Sequence, residues 1–198
     1  MTGIDWTAFL RDYNIALIED EALGEQVAEA ALGADWLGAP GLDATQLAAL
    51  EKRLDRPLPK SYRDFLAASD GWRITGALGL RLWPAAKVGW LRDTGKSWVQ
   101  EWGSGSGDGR PVSDADYFVY GDEQDAGAIR PEYVDGALQI GDSDDNGIYL
   151  LNPKIVTPDG EWEAWHLAPF YPGAARFRSF AEMIRQERSE LRRGDDDD

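Results

Sequence analysis

The sequence predicts an α+β (mixed α/β) fold, with helices at both ends of the chain and strands between them. Three observations lead there. Apolar residues recur at helical spacing early and late, in Leu47, Leu50 and Leu54 and again in Phe180, Met183, Ile184 and Leu191. Between Tyr117 and His166, short β-branched and aromatic runs alternate with turns. A chain of 198 residues that is 43% hydrophobic, with nine Trp, seven Tyr and six Phe, has the length and content for one substantial core.

The elements follow in order. From about Asp5 to Leu32 the chain is helix-prone, with Trp6, Phe9, Leu10 and Tyr13 as one apolar stripe and Val27, Ala28, Ala31 and Leu32 as another. The run Gly33 to Gly41 is a turn-rich connector. Asp43 and Gln46 form a capping-box start for the helix that carries Leu47, Leu50 and Leu54, with Glu51, Lys52, Arg53 and Asp55 on its far side. Pro57 and Pro59 stop that helix, since a locked φ and a missing N–H cannot continue it. A second helix places Tyr62, Phe65, Leu66 and Ser69 on one face, and either Pro59 as first helical residue or Ser61 as N-cap opens it. Gly71 is expected to end it in a left-handed conformation. Ile74 and the run Leu78 to Trp83 read as short strands closed by Pro84, and Ala86 to Trp102 as a helical stretch interrupted at Asp93-Thr94-Gly95. Gly103 to Gly109 reads as a flexible loop. Tyr117 to Tyr120, Ala137 to Ile140, Ile148 to Leu151 and Trp162 to His166 are strand candidates, the middle two flanking a hairpin turn. Ser179 with Glu182 caps the last helix.

Charge is the most informative bulk property. Thirty-six acidic residues against twenty basic ones give a net charge of −16, which repels a phosphate backbone and argues against nucleic-acid binding. The same acidity favours a basic partner, because complementary fields speed encounter; its plainest alternative role is to keep the protein soluble. There is no cysteine, so disulfides and thiolate metal sites are excluded. The N-terminus carries Asp5, Arg11 and Asp12 and no signal-peptide core, and no window approaches the apolar length of a membrane span, so a cytoplasmic protein is expected.

Leu50-Glu51, Leu58-Pro59, Tyr62, Phe65-Leu66 and Asp70-Gly71-Trp72 resemble the opening signature of the SUKH superfamily, the domain of fungal cell-wall assembly regulators and many bacterial immunity proteins. The similarity continues in order through Ile140-Gly141-Asp142, Leu150-Leu151-Asn152-Pro153, Glu161-Trp162-Glu163-Ala164-Trp165 and Ser179-Phe180. Asp70 departs from the pattern, where Asn is more usual; both residues suit a helix-ending turn. The resemblance implies a single mixed, largely antiparallel sheet flanked by helices. It divides the chain into a helical extension (1–34), the SUKH-like domain (35–190) and an acidic tail (191–198).

Several fragments imitate chemistry. Thr94-Gly95-Lys96-Ser97 lacks the glycine that a phosphate-binding loop requires at position 90, which is Trp90. Asp142, Asp144, Asp145, Asn146 and Gly147 copy the front half of a calcium loop, but the position of its bidentate Glu is Pro153, so an acidic β-turn with at most weak calcium affinity is the reading. His166 is the only histidine and has no nucleophile elbow to serve. Glu161 and Glu163, two apart, would share one strand face, as paired hydrolytic carboxylates or as charge shown to a protein.

The reading that combines these is a non-catalytic protein-binding module without metal or cofactor. The resemblance implies an immunity protein covering a basic cognate toxin. The surface assigned to the partner is Asp142, Asp144 and Asp145 with Glu161 and Glu163, extended by Trp102 and Asp122. The rival readings are a regulatory scaffold with several endogenous partners and a hydrolase working through Glu161 and Glu163.

Overall fold

The computed structural model describes residues 3–20, 23, 27, 31, 35–73, 81–103, 111–142, 146–169 and 172–193, the last three without their side chains. Helix α1 (Trp6–Glu19) is capped by Asp5, whose carboxylate accepts the Ala8 N–H at 3.1 Å. Its buried stripe is Trp6, Leu10, Tyr13 and Leu17, and Leu23, Val27 and Ala31 continue the buried line at four-residue intervals. Ala28 and Leu32 of the expected second stripe lie outside the described residues.

Helices α2 (Ala44–Leu54) and α3 (Lys60–Ala68) form the expected pair. The capping box is complete: Asp43 accepts from Gln46 N at 2.8 Å and Gln46 accepts from Asp43 N at 2.9 Å. Asp55 ends α2 in the left-handed region, and the Glu51 side chain returns to the elbow to accept Leu58 N at 3.0 Å. Pro59 is the N-cap of α3, so Ser61 is its second residue. The helix stops at Ala68, with Ser69 extended; Gly71 (φ 91°) belongs to the turn beyond it and not to the helix end. A Cβ there would lie 2.9 Å from the Leu82 carbonyl oxygen, because Trp72 pairs with Leu82 in both directions.

Six strands form one sheet: β1 (Arg81–Leu82), β2 (Gly89–Trp90), β3 (Leu138–Asp142), β4 (Ile148–Val156), β5 (Trp162–Leu167) and β6 (Ala174–Phe177). Their order is β1-β3-β4-β5-β6, with β2 also on β3, and all described pairings are antiparallel. The hairpin joins β3 to β4 as expected. Strand β4 outruns the apolar run Ile148 to Leu151, carrying Pro153 through a register shift between Asn152 and Val156, where a missing N–H is tolerated.

Alternation along β4 and β5 sorts the core into two layers. Tyr149, Leu151, Trp162 and Ala164 join a cluster with α1, α2, α3 and α7 (Phe180–Arg193). There Trp6 meets Phe65 at 5.6 Å and Phe180 at 5.4 Å, and Tyr62 meets Phe180 at 5.0 Å. Ile148, Leu150, Trp165 and Leu167 face the other way, towards Leu91, Trp102, Ile129 and Val134.

Three local expectations change. Residues 85–87 form a turn and 89–90 pair as β2, so helix begins only at α4 (Leu91–Thr94), and α5 (Lys96–Trp102) follows the break at Gly95. Tyr117 to Tyr120 is not a strand: α6 (Asp114–Tyr117) ends there, capped by Ser113. Strand β6 has no counterpart among the strands expected from the sequence. Residues 74–80, where strands were expected, and most of the glycine-rich loop (104–109) lie outside the described residues.

Candidate partner-binding site

The structure disperses the acids that the sequence groups. Asp142 ends β3, where Arg81 Nε lies 3.3 Å and Lys87 Nζ 2.9 Å from its carboxylate. Burial raises its pKa, but hydrogen bonds from Trp83 and Lys87 with the charges of Lys87 and Arg81 outweigh that and hold it below the ordinary value. Lys87 also sits 3.8 Å from the centre of the Trp83 ring. Asp142 is thus locally neutralised. Asp144 and Asp145 lie outside the described residues.

Glu161 precedes β5 and serves as a remote cap for α3. Its carboxylate accepts the Ser61 N–H at 2.9 Å and the Ser61 hydroxyl at 2.6 Å, placing negative charge on a helix N-terminus. Glu163 corrects the sequence reading, because it is completely buried. Oε2 accepts from Tyr117 Oη (2.6 Å), Asn152 Nδ2 (3.0 Å) and Trp165 Nε1 (2.8 Å), and Oε1 from Tyr120 Oη (2.8 Å). Both oxygens of this buried carboxyl group are thereby hydrogen-bonded. The two glutamates therefore share neither a surface nor a reacting centre. His166 is taken up elsewhere, 4.0 Å from Glu187 and with its ring tilted against that of Tyr149 at 5.2 Å, and burial lowers its pKa to about 4. Trp102 is likewise corrected, being only 8% exposed.

Asp122 is exposed on a 3₁₀ turn (Gly121–Glu123). It has company that the sequence reading missed. Between Pro111 and Gly136 the chain carries seven acids and one base, and Asp114, Asp116, Asp122, Glu123, Asp125, Glu132 and Asp135 are all exposed. Phe118 stands among them at 44% exposure. The lone base, Arg130, is turned inward, paired with Asp114 and 4.5 Å from the centre of the Tyr117 ring. The excess of acids over bases in this window was the legible signal.

A cleft of about 420 Å³ lies between residues 37–39, 70–73 and 81–87, with Asp142 on its lining. Asp70 there accepts the Ala85 N–H at 2.6 Å. Among the described residues no group of His, Cys, Asp or Glu could hold a metal ion, and no helix is long and apolar enough to cross a membrane.

The SMI1 / KNR4 family (SUKH-1) model matches residues 41–186, from the connector before α2 into α7. The match spans most of the chain, which therefore belongs to this family. No curated protein matches it.

Proposed function

We propose that this member of the SUKH-1 family is a non-catalytic, cytoplasmic protein-binding module: an immunity protein that neutralises a cognate bacterial toxin by covering a basic domain. The observation that carries this reading is the exposed acidic segment 111–136 with Phe118 in its midst, on a chain of net charge −16. Acids draw a basic partner in and set its orientation, and an aromatic ring supplies the desolvated contact that fixes it. Glu163 and Trp102 leave the contact surface because they are buried, Glu161 because it is committed to Ser61 and Asp142 because it is paired.

The test is co-purification with the product of the neighbouring toxin gene, followed by association kinetics. Reversing Asp122 and Glu123 together to arginine is expected to lower the association rate by about tenfold at low salt, with the difference shrinking as salt rises. An unchanged rate for that variant, with a loss on reversing Asp144 and Asp145 instead, moves the surface to the β3–β4 turn.

A further inference from the structure

The segment 111–136 is fastened to the sheet from beneath by two buried charges that grip the same residue. The Tyr117 hydroxyl donates to Glu163 Oε2 at 2.6 Å, while the Tyr117 carbonyl accepts from Arg176 Nη1. Both Glu163 and Arg176 are fully buried, one on β5 and the other on β6. The Arg176 guanidinium lies 4.5 Å from the centre of the Tyr117 ring, and its backbone N–H donates to Gln124 Oε1 at 2.7 Å. Tyr120 adds its hydroxyl to Glu163 at 2.8 Å. One anion and one cation on neighbouring strands thus hold a segment whose own regular structure is one short helix and two 3₁₀ turns.

We propose that Glu163 and Arg176 are positioning residues for partner binding, which hold segment 111–136 as a pre-shaped surface for a basic protein. This rests on the acidic-segment reading above. A segment already ordered before encounter loses little freedom on docking, so affinity depends on the fastening as well as on the exposed charges.

Glu163→Gln tests the charge with the shape kept. The amide keeps the side chain's size but offers one acceptor oxygen in place of two, so the four donors from Tyr117, Tyr120, Asn152 and Trp165 can no longer all be satisfied. Amide hydrogen exchange is expected to rise about tenfold within 113–135 while β4 and β5 keep their protection. Titrated with an octalysine peptide, the variant is expected to bind about threefold more weakly, with an unchanged slope against the logarithm of salt concentration. Exchange that stays at the wild-type rate in 113–135 overturns the proposal, as does an affinity loss accompanied by a shallower salt slope. If Glu163→Gln does not fold, Tyr120→Phe removes a single bond to Oε1; a rise of a few-fold confined to 118–124 supports the fastening, and no rise overturns it. Unchanged octalysine binding after reversal of Asp122 and Glu123 defeats the acidic-surface reading instead, and the exchange result decides the fastening separately.

Discussion

Replacing Glu187 by glutamine should remove a pH-dependent cost of folding. Glu187 lies on α7 with 12% of its side chain exposed, its Oε1 4.0 Å from His166 Nδ1. Burial pushes its carboxyl from 4.5 up to about 8, with the Tyr149 hydrogen bond opposing and the charge of Glu190 adding to the rise. In the unfolded chain the same group titrates near its ordinary value, so the folded state keeps the proton to higher pH. The stability linked to that proton is complete below about pH 4.5 and is lost as pH rises towards 8. His166 runs the other way, since burial takes it from 6.5 down to about 4, so its contribution is lost only as pH falls below 6.5. The window from 6.5 to 8 therefore isolates Glu187. At about 1.4 kcal/mol per pH unit, wild type should lose about 2 kcal/mol more than Glu187→Gln across it. Urea unfolding followed by tryptophan fluorescence at the two ends of the window gives both values. Stability curves that stay parallel for the two proteins would refute the reasoning.

Two further outcomes follow from single contacts. Glu161→Gln weakens the remote cap on Ser61 and should cost about 1 kcal/mol, with a smaller loss when Ser61 is already alanine, since only the backbone N–H is then left to accept from; a double-mutant cycle in urea measures the hydroxyl's share. Gly141→Ala would set a methyl 2.3 Å from the Arg81 carbonyl oxygen, so β1 should detach from β3 and the thermal midpoint should fall by several degrees, about 1–3 kcal/mol of overpacking; differential scanning calorimetry decides it.

The parts of the fold legible in the sequence are those whose signals are local. Asp43 and Gln46 are three residues apart, and the β3–β4 hairpin is written in two apolar runs and the turn between them. The Tyr117 to Tyr120 run misleads because aromatic composition speaks for strand, whereas Ser113 as a cap and the acids after it commit the backbone to a helical turn. Strand β6 went unread because Ala174, Ala175 and Arg176 have weak β-propensity; its place is set by pairing with β5 and by contacts that Arg176 makes about 50 residues upstream. The pairing of Glu161 with Glu163 fails for a geometrical reason. A two-residue spacing puts side chains on one face only within a strand, and β5 begins at Trp162. Nothing near Glu163 in the sequence announces that Tyr117 and Tyr120 will come to it, so a residue type that is rarely buried reads as surface.

The margins of the sheet limit how any visitor can approach. On one flank Trp72 occupies Leu82 in both directions and itself bridges Gly38. On the other, the outward N–H groups of Ala174 and Arg176 are taken by the Ala126 carbonyl and the Gln124 side chain. A guest strand cannot be zipped onto donors that are already spoken for, so recognition along these flanks has to be written in side chains, where evolution can change specificity one residue at a time without unravelling the sheet.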